Sequence, residues 1–235
     1  PQKRGEMSHV PMRVWWGMVA LLAVLPAWAA EEAIDIGGRR ELFVDGAIIG
    51  QISGELRLAL HRPERKEIVF KTDRPWEGNA SGYQSVMYVQ GKYRMYYRGC
   101  HFPGNRGSPA YPSVLCYAES ADGIRWTRPE LGICPFKGST ANNIVVDRPL
   151  VQEIGGDPAH TAVFHDTNPA CPEDQRFKVV ILGKGGQGLF RAALYLLVSG
   201  DGIRFRLLSG KPSVTDGALD SQNLIFWDPV AKTYR

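Results

Sequence analysis

Helices are what this sequence lacks most. No stretch carries apolar residues at helical spacing over more than about two turns, short of the three turns of an average globular helix. Cysteine is sparse, with four residues in 235, and no pair stands at Cys-x-x-Cys spacing. Cys100, Cys116, Cys134 and Cys171 allow three complete disulfide pairings or a set of buried free thiols, and spacing does not choose between them. Runs of lysine and arginine interleaved with aromatics are missing, and the net charge of +4 is mild. Both facts argue against nucleic acid as a partner. His101, His160 and His165 share no metal-ligand spacing, so no metal is expected, and nothing specific supports a structural calcium. The glycine-rich "GKGGQG" of residues 183–188 precedes no helix, so it does not read as a phosphate cradle. Neither Gly-x-Ser-x-Gly nor an ordered Ser/His/Asp set occurs.

Glycine (26) and proline (16) are plentiful, as in turn-rich β proteins. Near the N-terminus, Met12 and Arg13 lead into the apolar run Val14–Leu25, which ends in Ala27-Trp28-Ala29. A basic start, a short apolar core and an Ala-x-Ala end predict a secretory signal and an exported protein. The run is too short for a comfortable permanent anchor, so no membrane association is expected after cleavage. Residues 1–29 are therefore set apart as upstream extension and signal, and 30–235 as the folded part.

That part reads as strands throughout. "ELFVDGAII" (41–49), "LRLALH" (56–61) and "EIVF" (67–70) are short and β-branched or aromatic. A denser series follows: "YQSVMYV" (83–89), "YRMYYRG" (93–99), "SVLCYAES" (113–120) and "IRWTRP" (124–129). A second series repeats the order with "HTAVFHD" (160–166), "RFKVVILG" (176–183), "RAALYLLVSG" (191–200) and "IRFRLL" (203–208). A third opens with "SQNLIFWD" (221–228) and "KTYR" (232–235). The series are punctuated by one phrase, Ser120-Ala121-Asp122-Gly123-Ile124-Arg125-Trp126, echoed as Ser199-Gly200-Asp201-Gly202-Ile203-Arg204-Phe205. Asp-Gly supplies a tight turn with positive φ, here between the third and fourth strands of a repeated four-stranded sheet. Such a unit cannot bury both faces alone, whereas radially stacked copies can. The expected fold is all-β, a β-propeller with blade one at about 80–130, blade two at about 142–208 and blade three from about 219.

The Ser-x-Asp-Gly-Ile-x-Trp phrase closing each blade, with "FHDTNP" and "LDSQN" in the others, resembles the five-bladed propellers of glycoside hydrolase families 43 and 32. It is also similar to the Asp-box of sialidases, which has one more residue between the serine and the aromatic. The likeness spans roughly residues 40–235. It implies two and a half blades of a five-bladed, C-terminally truncated propeller. It further implies an exported glycosidase when complete, inactive when open, with a poly- or oligosaccharide as substrate and an active site at the mouth of the central channel. The short Asp-Pro phrase of the first blade in both families is replaced here by Trp76-Glu77-Gly78-Asn79.

Cleaving a glycosidic bond needs two carboxyl groups, one to protonate the leaving oxygen and one to activate water or attack carbon. The resemblance implies that such acids stand just before the first strand of each blade, where Asp73 and Glu77 lie in blade one and Asp220 in blade three; in blade two only Asp157 precedes the strand, and Asp166 follows it. Glu77 and Asp220 are the expected pair, with Asp166 as a third acid. Trp76 beside Glu77 would stack on a sugar. Aligning Asp228 with Asp166 sets Gln222 opposite His160, with Gln84 near the same level, and Asn223 adjoins Gln222. These four are the expected substrate contacts. Plainer alternatives stand beside each: Glu77 as a loop acid next to a packing tryptophan, and Asp220 and Asp166 as turn-forming aspartates. A non-catalytic propeller binding carbohydrate or protein is the second functional expectation. The sequence is silent on oligomeric state.

Overall fold

A computed structural model describes residues 33–57, 59–104, 107–188 and 191–235. The expected signal segment lies outside them. The chain divides into two compact units, 1–64 and 65–235. In the first, residues 33–57 and 59–64 form no helix or strand. They are shaped by turns such as Ile49 N–H to Gly46 O (3.0 Å) and Arg39 N–H to Ile36 O (3.1 Å). The strands expected at 41–49 and 56–61 are therefore not formed. A β segment gains its stability from a paired ladder and a buried face, and here Leu42, Val44, Leu56 and Leu60 are exposed. Nor does "EIVF" (67–70), in the second unit, join a ladder.

The second unit is built from two antiparallel four-stranded sheets and a short hairpin, with two 3-10 turns as the only helix among the described residues. The first sheet holds β1 (Gly82–Val89), β2 (Lys92–Gly99), β3 (Val114–Ser120) and β4 (Ile144–Val146), in that order. The second holds β5 (Asp157–His165), β6 (Phe177–Lys184), β7 (Ala192–Ser199) and β8 (Arg206–Leu207). β9 (Trp227–Asp228) pairs with β10 (Thr233–Tyr234). The β1–β2 loop is a two-residue turn, Gln90-Gly91, with φ of 55° and 80°, the geometry that matches strand twist.

One expectation needs correcting. "IRWTRP" touches its sheet at a single bridge, Thr127 to Glu119, and Pro129, with no N–H, cannot carry the ladder on. The chain detours through 130–143 and returns as β4, opposite Leu115 and Cys116. Residues 142–146 thus close the first sheet rather than open the second.

Alternation decides which side chains meet. On β2, Tyr96 turns toward the second sheet while Met95 and Tyr97 turn away; on β3, Leu115 and Tyr117 oppose Val114, Cys116 and Ala118 in the same way. The inter-sheet core joins Tyr96, Leu115 and Tyr117 to Phe177, Val179, Ile181, Tyr195, Leu197 and Phe205. The outer face of the first sheet is covered by Phe70, Trp76, Trp126, Ile133 and Phe136. All four cysteines are buried and free.

The repeated Asp-Gly turn is a hydrogen-bonded knot in both copies. Ser120 Oγ accepts the N–H of Gly123 (2.9 Å), and Asp122 Oδ1 accepts those of Ile124 (2.8 Å) and Arg125 (2.7 Å). Ser199 and Asp201 repeat these contacts at 3.0, 2.8 and 2.8 Å. Gly202, at φ 75°, is also pinned from outside: a Cβ there would lie 2.6 Å from the Tyr96 hydroxyl oxygen. That hydroxyl donates to Gly202 O (2.8 Å), and Arg94 Nη1 donates to Asp201 O (2.6 Å). The second strand of one sheet thus grips the turn of the next.

The N–H donors of Arg125 and Ile124 hold the Asp122 carboxyl at about 2, below its ordinary 3.8. For Asp201, burial pushes the other way but is outweighed by the N–H groups of Arg204 and Ile203, which bring it also to about 2. Folded values below unfolded ones mean a contribution fully present above about pH 4 and lost as pH falls toward 2. Denaturant unfolding between pH 5 and 2 should show that acid limb. Asp122→Asn with Asp201→Asn should lower stability at pH 7 and flatten the limb, and an unchanged slope would refute this origin.

Candidate functional site

β1 and β5 both begin at one end of their sheets, and residues 219–226 lead into β9. In both first strands the register shifts near the start, between Gly82 and Ser85 and between Asp157 and Ala162. Tyr83 and Ser221 take positive φ, 52° each. Such a bulge re-aims the residues around it, and the three starts converge on one side chain. Gln222 Nε2 donates to Tyr83 O (3.1 Å) and to Thr161 O (3.0 Å). The Tyr83 ring stands 5.3 Å from the His160 ring, and the Arg98 guanidinium lies over its other neighbourhood, 4.5 Å from the ring centroid. Ser85 Oγ accepts the Val163 N–H (3.1 Å), tying β1 to β5.

Of the expected contacts, His160 and Gln222 therefore lie beside these strand starts. Gln84 follows Tyr83 there with an exposed side chain, and Asn223 is half-buried, its amide 3.5 Å from Ser221 O. Asp220 is exposed, and its Oδ1 accepts the Ser221 N–H (2.7 Å). Among the described residues it has no cationic partner.

The other two acids are elsewhere. Asp166 follows the far end of β5, six residues beyond His160, which at strand rise is about 20 Å. Its side chain is fully enclosed. Oδ2 accepts from Lys178 Nζ (2.5 Å) and from the Tyr234 hydroxyl (2.7 Å), and Oδ1 from the Asn168 N–H (2.9 Å). Burial raises its carboxyl, but Lys178 and the other donors outweigh this and hold it below the usual aspartate range. Lys178, which burial alone would depress, is raised by the same pairing. Asp166 is thus a tie between β5, β6 and the third hairpin, and its corresponding neighbours in the other repeats are also ties. Gln90 Oε1 accepts from Arg94 (2.7 Å), and Asp228 Oδ2 from Arg235 (2.7 Å).

Glu77 is enclosed as well, at 0% exposure. Oε1 accepts from the Tyr97 hydroxyl (2.6 Å) and Arg128 Nε (2.6 Å); Oε2 accepts the Arg74 N–H (2.9 Å) and lies 3.3 Å from Arg128 Nη2. Arg128 also donates to Lys71 O and lies over the Phe70 ring, 4.1 Å from its centroid. Trp76 belongs to the same outer layer, its Nε1 donating to Asn143 Oδ1 (2.6 Å) and its ring edge-on to Phe136. Burial first, then the neighbouring Cys116 sulfur and the Glu77 carboxylate, hold the Tyr97 phenol above its ordinary value. Against burial, Glu77 raises Arg128.

The second sheet explains why Glu77 points inward. Cys100 N–H donates to Glu77 O (2.9 Å), and Lys184 N–H donates to Ile154 O (2.9 Å). Each of these residues precedes a glycine of positive φ, Gly78 (68°) and Gly155 (59°). Glu77 therefore fills the packing slot that Ile154 fills in the second sheet. The expectation that Glu77 and Trp76 face a sugar, and that Glu77, Asp166 and Asp220 converge, is not met by this geometry. The two pairs hold the same place in the sequence of their sheets: Glu77 stands eight residues before Ser85 and Ile154 eight before Ala162, the points at which the first-strand ladders resume after their register shifts.

Arg98 was not among the expected contacts, although its place at the end of β2, beside the β1 start, follows from the hairpin register Gly82 to Arg98. At the opposite end of the first sheet a surface depression is lined by Lys92, Glu119, Ser120 and Arg125, and the Lys92–Glu119 pair (2.5 Å) neutralises it. Among the described residues no three His, Cys, Asp or Glu side chains group to hold a metal ion. No protein-family model matches the chain, and no curated protein matches it.

Removing one member of a buried ion pair costs about 3–5 kcal/mol, while replacing both by apolar groups of similar volume is often neutral. Glu77→Gln should therefore destabilise the chain by about 3 kcal/mol. Glu77→Ile combined with Arg128→Met should cost less than the two single changes summed. A denaturation double-mutant cycle checks this, and full stability retained in Glu77→Gln would overturn the structural role.

Proposed function

We propose that the two sheets are consecutive blades of a β-propeller whose mouth, at the starts of β1, β5 and the 219–226 segment, binds carbohydrate. The observation carrying this is the Gln222 amide straddling the Tyr83 and Thr161 carbonyls, which brings three polar strand starts together. Sugar sites combine an aromatic surface with a few placed donors and acceptors. Tyr83, His160, Gln84, Asn223 and Asp220 supply those types there. The repeated Asp-Gly phrase and its resemblance to glycosidase propellers support the same reading, and export through the 12–29 segment belongs with it.

Binding is preferred over hydrolysis for a specific reason. Hydrolysis by paired carboxyls needs two acids about 5–10 Å apart. Among the described candidates only Asp220 is an available acid at the mouth; Glu77 and Asp166 are consumed by Arg128 and Lys178. Hydrolysis with Asp220 as one member of a pair is the second reading, carried by that unpaired carboxylate.

Calorimetric titration of the full chain with xylo-, galacto-, fructo- and galacturono-oligosaccharides tests both. Binding of at least one series, weakened about tenfold by Asp220→Asn or His160→Ala and unaffected by a stability-matched Asp166→Asn, is expected. Release of reducing ends, abolished by Asp220→Asn, would establish hydrolysis instead. Absence of binding across all four series would overturn the carbohydrate reading.

A further inference from the structure

Cations that are not exposed are almost all neutralised in this unit. Arg128 faces Glu77, Lys178 faces Asp166, Arg176 faces Glu173 (2.7 Å) and Lys92 faces Glu119. Arg94 spends its two terminal nitrogens on Asp201 O and Gln90 Oε1. Like Arg94, Arg98 meets no carboxylate, and it differs from Arg94 in that its terminal nitrogens make no hydrogen bond among the described residues. It is half-buried, yet among the described residues no carboxylate lies within ion-pair reach of it. Its one protein hydrogen bond runs from Nε to Ala80 O (2.9 Å), which fixes the plane of the guanidinium without engaging either terminal nitrogen. Tyr83 supports it from one side at 4.5 Å. The residue opposite it in the ladder, Gly82, puts no side chain over it; a Cβ there would sit 3.8 Å from Nη2. The Tyr83 ring is also 5.3 Å from the imidazole of His160.

A desolvated guanidinium costs free energy unless an anion meets it, and a guanidinium held flat with two free nitrogens is the geometry that forks two oxygens of one acidic group. Resting on the carbohydrate reading of the mouth, we infer that Arg98 is an anion-recognising residue and that the glycan bound there is acidic. The group it takes presents paired oxygens on a sugar, as the carboxylate of a uronic acid or a sulfate ester does. Tyr83 serves as platform for the cation, and Gln222 and His160 contact the neutral hydroxyls of the same glycan.

The full chain is titrated with three oligosaccharide probes of matched length: neutral galacto-oligosaccharide, galacturono-oligosaccharide and sulfated galacto-oligosaccharide. At least a tenfold preference for one acidic probe over the neutral one is expected, and which probe wins distinguishes carboxylate from sulfate. In Arg98→Gln the acidic-to-neutral ratio should fall close to one. Arg98→Lys, which keeps the charge but loses the fork, should retain only part of the ratio and serves where Arg98→Gln does not fold by circular dichroism. Equal affinities for acidic and neutral probes in the wild type would overturn this inference while leaving the carbohydrate reading standing. A ratio unchanged in both variants, even with weaker overall binding, would overturn it as well, because Arg98 would then be structural. Failure of all three probes would remove the carbohydrate reading and this inference together.

Discussion

The grip of β2 on the Asp201-Gly202 turn is the contact on which the rest of the fold depends. Tyr96 and Arg94 each donate to a turn carbonyl, and they can do so only if the turn is tight enough to bring those carbonyls outward together. That tightness comes from the serine and aspartate side chains, which satisfy the turn's own N–H groups and leave its carbonyls for the neighbouring sheet. With the sheets held at this point, Tyr96 sits between Tyr117 and Phe205, at 5.3 and 6.2 Å. The aromatic of the repeated phrase then becomes core. A turn motif thus serves as an inter-sheet connector, and the dispersion and burial of the apolar layer follow from it.

The same repeat logic accounts for the two enclosed acids. Each sheet has a packing slot just before its first strand, and each first hairpin has an acceptor-and-base tie at its turn. Ile154 fills the slot of the second sheet with hydrocarbon, between two sheets that cover it. Glu77 fills the slot of the first, where the cover is the chain itself and includes Arg128. An ion pair there is costlier to bury than isoleucine, but it fastens the 71–77 segment to the 124–143 detour through Arg128, which also reaches Lys71. The detour must lie somewhere once Pro129 has ended the ladder, and the Glu77 network, with Trp76 bonded to Asn143 at the entry to β4, holds it down.

These particulars show what one sequence conveys. Alternation in Tyr93–Arg98 and the Asp-Gly phrase are local signals, and the paired strands they predict are present, with β1, β2, β3, β5, β6 and β7 close to their expected limits. The fourth strand of the first sheet was hidden because a proline splits it and its second piece returns only after a long detour. "ELFVDGAII" has strand composition, but a ladder depends on a partner that composition cannot supply. For the site, the level shared by Gln84, His160 and Gln222 was legible from spacing within each hairpin. The direction of Glu77 was not, because an acid beside a tryptophan reads alike whether it faces a sugar or an arginine 51 residues downstream. Arg98 was invisible for the converse reason: its significance lies in a missing counter-ion.

Charge pairing then becomes the most discriminating description of this molecule. Where a cation and an acid are both withdrawn from water they have found each other, as at Glu77 and Arg128 or at Asp166 and Lys178, and such groups have no capacity left for a ligand. Among the described residues the Asp220 carboxylate, just before Ser221, and the Arg98 guanidinium, opposite Gly82, have no such partner, one exposed and one half-buried. The exposed acid is stabilised by water and needs nothing more. The half-buried guanidinium is held by Ala80 O and the Tyr83 ring and keeps two terminal nitrogens without a protein partner among the described residues, beside the convergence of three strand starts. What these strand starts offer a ligand is therefore set less by the two enclosed acids, whose oxygens are spent, than by the Arg98 nitrogens that no protein group engages among the described residues.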